Sequence, residues 1–98
     1  MAKGYWVAHV DVTEQDAYVA GYIAAAKDTL AAFGAVFKVR AGTRTVAEGA
    51  ARARTVVIEF PSYQAALDCY NAPGYQNAKA KRDLVATGDM VIIEGYGG

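Results

Sequence analysis

The sequence has very few of the residues that bind metal ions or form disulfides. Among its 98 residues there is one cysteine, Cys69, and one histidine, His9. A single cysteine excludes an internal disulfide and is typical of a protein from a reducing cytoplasm. Zinc and iron–sulfur sites draw on several cysteines and histidines, so we expect no metal site.

The chain also has no net charge, since its ten basic and ten acidic side chains cancel. The sequence therefore predicts neither a nucleic-acid-binding protein nor one that binds an anionic membrane. No stretch approaches the roughly 18 apolar residues of a membrane-spanning helix, and the first residues contain no apolar signal-peptide core. No glycine motif that cradles phosphate precedes a helix, so we also expect no cofactor. These absences favour a cytoplasmic protein.

What the chain does have is enough apolar material for one core. Its residues are 54% hydrophobic and 20% charged, which predicts a single globular domain spanning residues 1–98. Strands are expected where aromatic and β-branched residues cluster, and turns at glycine and proline. The predicted elements are a strand over 4–12, a helix over 14–33, a strand over 35–41, a short extra strand over 43–48, a strand over 54–60, a helix over 63–70 that residues 71–74 break, a helix from Pro73 to about Val85, and a strand over 90–94.

The helix over 14–33 has the clearest pattern. Thr13 is a candidate N-cap, and Gly34 is placed to end the helix in the left-handed conformation. Apolar residues recur at helical spacing and predict one buried stripe. Its members are Val19, Ile23, Ala26, Leu30 and Phe33. Ser62 and Gly88 are the corresponding start and stop residues predicted for the helices between the last two strands.

The element order β-α-β-β-α-β predicts an α+β fold of the ferredoxin-like type. Right-handed crossovers arrange its antiparallel sheet in the order 4-1-3-2 with the helices on one face. The strands do not alternate between apolar and polar residues, so both sheet faces need cover and a second copy of the chain is the simplest cover. We therefore expect a homodimer through sheet faces. The face left by the helices would hold Tyr5, Val7, Val57, Met90 and Ile92, or else the opposing set.

Several motifs, in order, resemble one bacterial family. They are the segments 4–12, 39–42, 57–62, 70–76 and 91–96, which together run along essentially the whole chain. The chain is identified on them as a member of the domain of unknown function 1330 family, in the dimeric α+β barrel superfamily. The resemblance implies a ferredoxin-like fold and a dimer with two sheets packed face to face, and it implies no established activity. Family members commonly have two glycines after the arginine, where this chain has Ala41 and Gly42.

Polar side chains within the strands are the first candidates for chemistry. His9 and Glu59 lie on strands expected to be neighbours, and a histidine beside a carboxylate is able to act as a general base. Arg40 ends the second strand and is suited to a ligand carboxylate. We expect Arg40, His9 and Glu59 to lie close together. The alternative is a structural polar cluster at a sheet edge or at the dimer interface.

Further candidates lie on the helices. Arg82 falls on the same helical face as Tyr75, which places a positive charge in an apolar stripe. A buried guanidinium needs an anionic partner. The alternative is that the Arg82 side chain lies along the surface and its guanidinium reaches water. Tyr22 and Tyr70, together with Tyr18 and Tyr63, are placed to line a pocket between helices and sheet, or to form the margin of an ordinary core. The predicted ligand-binding residues are thus Arg40, Tyr22, Tyr70 and Arg82.

Two functions remain open from the sequence. The first is a homodimer that binds a small organic ligand between sheet and helices and that acts, by analogy with its superfamily, as a cofactor-independent oxygenase or isomerase. The second is a non-catalytic dimeric module that binds a metabolite or a protein. A closed apolar pocket with Arg40 or His9 pointing into it would favour the first, and a filled core the second.

Overall fold

The structure is a computed structural model, and it describes residues 2–97. It contains four strands and three helices, of which the first helix has three consecutive parts. The elements are β1 (Gly4–Val12), α1 (Gln15–Ala17, a π-helical stretch Tyr18–Ile23, and Ala24–Ala32), β2 (Val36–Arg40), β3 (Arg54–Phe60), α2 (Tyr63–Asn71), α3 (Pro73–Arg82) and β4 (Ala86–Glu94). This is an α+β fold.

The four strands form one antiparallel sheet in the order β2-β3-β1-β4, which is 4-1-3-2 when read from the β4 edge. β1 lies in the middle, with Trp6 opposite Ile58 of β3 and Ile92 of β4. Directly opposed residues share a face, so this row points one way and the row through Val7, Val57 and Val91 points the other. The first face carries the helices; we call the second the outer face.

The core lies between the sheet and the helices and is centred on Trp6. Its indole is almost completely buried, packs at 5.0 Å from the ring of Phe60 and 4.7 Å from that of Tyr75, and donates from Nε1 to the Ala66 carbonyl at 2.9 Å. Met90 and Ile92 also pack on this side. They therefore belong to the face that the helices cover, and the outer face carries Val91 and Ile93 instead.

The buried stripe of α1 is shifted from the predicted one. Ala26 and Leu30 are buried as expected, but Val19 is 46% exposed and Tyr18 is buried in its place. The cause is the π-helical stretch, in which the Ala24 N–H donates to the carbonyl of Val19 five residues earlier. A π turn is wider than an α turn, so the spacing of inward-facing residues becomes four throughout and selects Tyr18, Tyr22, Ala26 and Leu30.

Four other local predictions were wrong. Residues 43–48 form no strand. The helix expected to reach about Val85 ends at Arg82, and Gly88 lies inside β4, which begins at Ala86. Thr13 does not cap α1, because its hydroxyl donates to the Val85 carbonyl at 3.0 Å and its N–H donates to the same oxygen.

The other residues predicted to start or end helices do so. Ser62 Oγ accepts from the Ala65 N–H at 3.0 Å at the start of α2, Pro73 opens α3, and Gly34 ends α1 with a φ of 76°. Ala41 is the unexpected case, since it adopts a φ of 54° without being glycine. Within residues 2–97, no helix is both long enough and apolar enough to cross a membrane.

Candidate functional site

A pocket of about 550 Å³ lies between the helix-bearing face of the sheet and α1. Its walls are mostly apolar, with the sheet as floor and the tyrosine side of α1 as roof. The apolar lining includes Trp6, Ala8, Val10, Ile23, Ala26, Leu30, Phe37, Val56, Ile58 and Met90, and the polar lining comprises Tyr18, Tyr22, Lys27, Arg40, Arg54 and Arg82.

Three arginines reach this pocket from three different elements. Arg40 ends β2 and lies opposite Val56, and Arg54 begins β3 and lies opposite Val10, so both side chains project on the face that carries the helices. Arg82 is the last residue of α3. Burial raises the pKa of the Tyr18 hydroxyl, and the positive charges of all three guanidinium groups act in the opposite direction.

Aromatic rings support these guanidinium groups. Arg40 lies over the ring of Phe37 at 4.2 Å, and Arg54 lies 5.4 Å from the centre of the Tyr18 ring. Arg54 Nη1 donates to Gln15 Oε1 at 3.2 Å, while its buried Nε has no hydrogen-bond partner among residues 2–97. A stacked guanidinium keeps the N–H groups in its own plane, so these arginines retain donors for another acceptor.

Arg82 anchors a chain of hydroxyl groups. Its Nη1 donates to Tyr75 Oη at 3.0 Å, and Tyr75 Oη lies 2.8 Å from Tyr22 Oη. Tyr75 is fully buried, and that burial raises the pKa of its hydroxyl far above the ordinary range. Tyr75 is therefore protonated at any physiological pH, and the chain ends at Tyr22, which lines the pocket.

A family model places the chain among known sequences. The model described as "Domain of unknown function (DUF1330)" matches residues 3–96. The chain belongs to the DUF1330 family. No curated protein matches the sequence significantly.

Two solved structures extend the comparison of this DUF1330 chain to its fold. One is the RPA0582 protein of unknown function from Rhodopseudomonas palustris, with a TM-score of 0.77 and 14% identity, covering 99% of this chain and 85% of that one. The other is SnoaB, a cofactor-independent oxygenase from Streptomyces nogalater, with a TM-score of 0.64 and 12% identity, covering 100% of this chain and 97% of that one. At these identities the likeness shows the fold alone.

Three of the four predicted ligand-binding residues of this DUF1330 member meet at the pocket. Arg40, Tyr22 and Arg82 all line it. Tyr70 does not; it lines a neighbouring, more open pocket of about 600 Å³ that shares Arg82 with the first. Tyr63 lines neither and is 37% exposed.

The predicted cluster of Arg40, His9 and Glu59 is not formed. His9 lies opposite Thr55, and Glu59 lies opposite Tyr5, so both side chains project from the outer face, away from Arg40. Glu59 accepts from the Tyr5 hydroxyl at 2.9 Å and lies 3.8 Å from Lys38 Nζ. The prediction failed for two reasons. A bulge between Phe37 and Val39 changes the face on which Arg40 projects, and the register places Glu59 opposite Tyr5, four residues before His9.

Sequence reasoning missed Arg54 and Tyr75 as parts of the site. Arg54 stands at the start of a strong strand, where only its register opposite Val10 shows that it faces the helices. Tyr75 was assigned to the stripe of α3, and its contact with Tyr22 joins residues 53 positions apart. Arg54 alternates in phase with Val56 and Ile58 along β3, but this pattern shows its face only once the face that the helices cover is known.

Proposed function

We propose that this chain is a homodimeric domain that binds a small organic ligand in the pocket between its sheet and helices. The observation that carries the proposal is the pocket itself. Its volume of about 550 Å³ falls within the range of natural ligand sites, about 300–1,000 Å³. Its walls combine apolar side chains with a few polar groups at defined places, which is the usual composition of such sites.

The experiment is native mass spectrometry of the protein purified from its own host. We expect a retained small molecule in the wild type. Ala8 forms part of the pocket floor, so Ala8→Phe should fill the space and release the molecule. The control is Ala24→Phe on the exposed side of α1, which should retain it. A wild type that carries no molecule, and that also fails to bind the aromatic probes described below, would contradict the proposal.

The outer face of the sheet supports the homodimer. A row of four valines crosses all four strands without interruption: Val39, Val57, Val7 and Val91. Val36 and Ile93 continue the apolar surface into the next row, and the exposed fractions of Val36, Val39, Val91 and Ile93 lie between 41% and 57%. In that second row the charge of Glu59 is already met by Tyr5 and Lys38.

The size of this face suits a second copy of the chain. Four strands of about seven residues span roughly 19 Å by 23 Å, or about 440 Å² of projected area on each copy. Two such faces packed together would bury about 1,000 Å² or more of accessible surface, the level at which specific interfaces begin. The valine row has the same chemistry on both copies, as a two-fold interface requires.

Sedimentation equilibrium at micromolar concentration tests the dimer. We expect a dimer for the wild type and a folded monomer for Val91→Asp. Val91 is more than half exposed in the single chain, so an aspartate there leaves the fold intact. In the dimer the same aspartate would be buried against the partner's sheet, which disfavours association. Leu84→Asp is the matched control, since Leu84 is 84% exposed and lies in the turn before β4. A monomeric wild type would overturn the proposed dimer.

A catalytic role is the second candidate, supported by the fold that the chain shares with SnoaB. A cofactor-independent oxygenase or isomerase needs a group that takes a proton from its substrate. In the described part of the chain, the residues that line the pocket include no carboxylate, histidine or cysteine, and this favours binding over catalysis. If a retained molecule is found, incubating it with the protein in air and following its mass separates the two: an added oxygen or a rearranged product identifies an enzyme.

A further inference from the structure

We infer that the ligand is an organic acid whose carboxylate faces the arginines of the pocket and whose apolar body packs on Trp6 and its neighbours. The inference rests on the proposed ligand-binding function and names the class of ligand. It begins with charge: among residues 2–97, four cationic side chains line the pocket, and no acidic one does. Together with Lys27 these are Arg40, Arg54 and Arg82.

The hydrogen-bonding groups of the pocket are donors as well as cations. Arginine has five N–H donors and no acceptor. The buried Tyr75 hydroxyl accepts from Arg82, and its own proton has one described acceptor, Tyr22 Oη. Donation in that direction leaves the Tyr22 proton free to point into the pocket. Tyr22 then presents a donor to the ligand, so a ligand that satisfies this site must supply acceptors.

The burial of the arginine groups in this pocket further favours a ligand whose acceptor carries a negative charge. The Nε of Arg54 is buried without a partner among residues 2–97, and a buried donor without an acceptor destabilises a structure. Arg82 does have a carboxylate nearby, since Asp83 Oδ1 lies 3.4 Å from its Nη2, but Asp83 also pairs with Lys79 Nζ at 2.7 Å. The charges of Arg40 and Arg54 have no carboxylate within salt-bridge distance among the described residues.

The rest of the pocket defines the body of the ligand. Aromatic and aliphatic side chains form most of its wall, with Trp6, Leu30 and Ile58 at its inner side. A flat guanidinium matches a carboxylate through two parallel hydrogen bonds, so the two ends of the pocket together select an aromatic or alicyclic carboxylic acid.

Isothermal titration with three matched probes tests the inference. These are 2-naphthoate, its neutral analogue 2-naphthamide, and 2-naphthyl phosphate. We expect 2-naphthoate to bind about tenfold or more tightly than 2-naphthamide, the difference that one charge-assisted hydrogen bond supplies. Added salt should weaken binding of the naphthoate and leave the naphthamide unchanged. If 2-naphthyl phosphate binds more tightly than 2-naphthoate, the site prefers a phosphate, and the assignment of a carboxylate is overturned.

Failure of the inference and failure of the proposed function give different results. Equal affinities for the acid and the amide would overturn the anionic ligand and leave a ligand-binding pocket. Absence of binding for all three probes would contradict the pocket's function itself.

Arginine variants locate the binding site of the probe. Arg40→Gln and Arg54→Gln should each weaken 2-naphthoate about tenfold and leave 2-naphthamide unaltered, whereas a folding defect would weaken both. Arg40→Lys keeps the charge and should recover part of the affinity. Arg44→Gln is the matched control, since Arg44 bonds Thr55 and the carbonyl of Arg52 outside the pocket. Unchanged naphthoate affinity in both pocket variants would refute the assignment.

Discussion

Ala41 is the residue whose replacement gives the sharpest test of the backbone next to the site. It follows Arg40 directly, has a φ of 54°, and is tied to β3 by its N–H, which donates to the Thr55 carbonyl at 2.9 Å. The left-handed conformation costs an L-residue about 1–2 kcal/mol, and glycine does not pay it.

Ala41→Gly is therefore expected to stabilise the protein. Glycine loses about 0.4–1 kcal/mol through the greater freedom of the unfolded chain, so the net gain should be about 0.5–1 kcal/mol. For a domain of this size that gain raises Tm by about 2–8 °C. Urea unfolding followed by Trp6 fluorescence and thermal unfolding followed by circular dichroism both measure it. Protein concentration must be held constant, because a dimer's stability depends on it.

Gly42→Ala is the control for this prediction. Gly42 does not have a positive φ, and a Cβ added there would have no heavy atom within 4 Å among the described residues. Its replacement should be neutral or slightly stabilising. If Ala41→Gly is neutral or destabilising while Gly42→Ala behaves as expected, residue 41 does not hold the left-handed conformation in solution and the reasoning is refuted.

Three further predictions concern single contacts. Gly4→Ala should destabilise the fold by about 1–3 kcal/mol or more in urea unfolding, because the new Cβ would lie 2.6 Å from Tyr63 Cα; wild-type stability would contradict it. Ser62→Ala should lower the free energy of unfolding by about 0.5–2 kcal/mol through loss of the helix cap, and an unchanged urea midpoint would count against the cap. The pKa of Asp11 is held below its ordinary value by a backbone N–H and by the Arg52 guanidinium, so its stabilising contribution is present above the unfolded-state pKa and disappears as the pH falls through the folded-state value. Asp11→Asn should therefore be less stable than wild type at neutral pH and match it in strong acid, and a stability difference that does not vary with pH would exclude this role.

Some helix boundaries of this chain were readable from sequence because they depend on neighbours within one turn. Ser62, Pro73 and Gly34 each act through backbone groups at most a few residues away. The phase of α1 was not readable in the same way. A regular helix predicts burial of Val19, whereas the π-helical stretch buries Tyr18, and its inward-facing tyrosines are then held by packing on the sheet and by the contact of Tyr22 with Tyr75.

The site shows the same division. Arg40, Tyr22 and Arg82 were recognisable as polar residues beside apolar patterns, and they do share one pocket. Arg54 carried no such signal, because an arginine at the start of a strand is ordinary until its facing is known. His9 and Glu59 were placed near Arg40 from strand adjacency alone, and the register sends them to the other face.

The sequence by itself determined the order of the elements, the family and the apolar character of both faces of the sheet, because these follow from local composition and from the apolar residues of each strand. Only the tertiary structure decided which face the helices cover and which side chains meet across it. A shift of one residue in strand register moves every side chain to the opposite face, and both faces here are apolar enough to accept either arrangement. Packing of Trp6 against Phe60 and Tyr75 selects one of them. That choice turns Arg40 and Arg54 toward the helices and leaves the valine row on the outside.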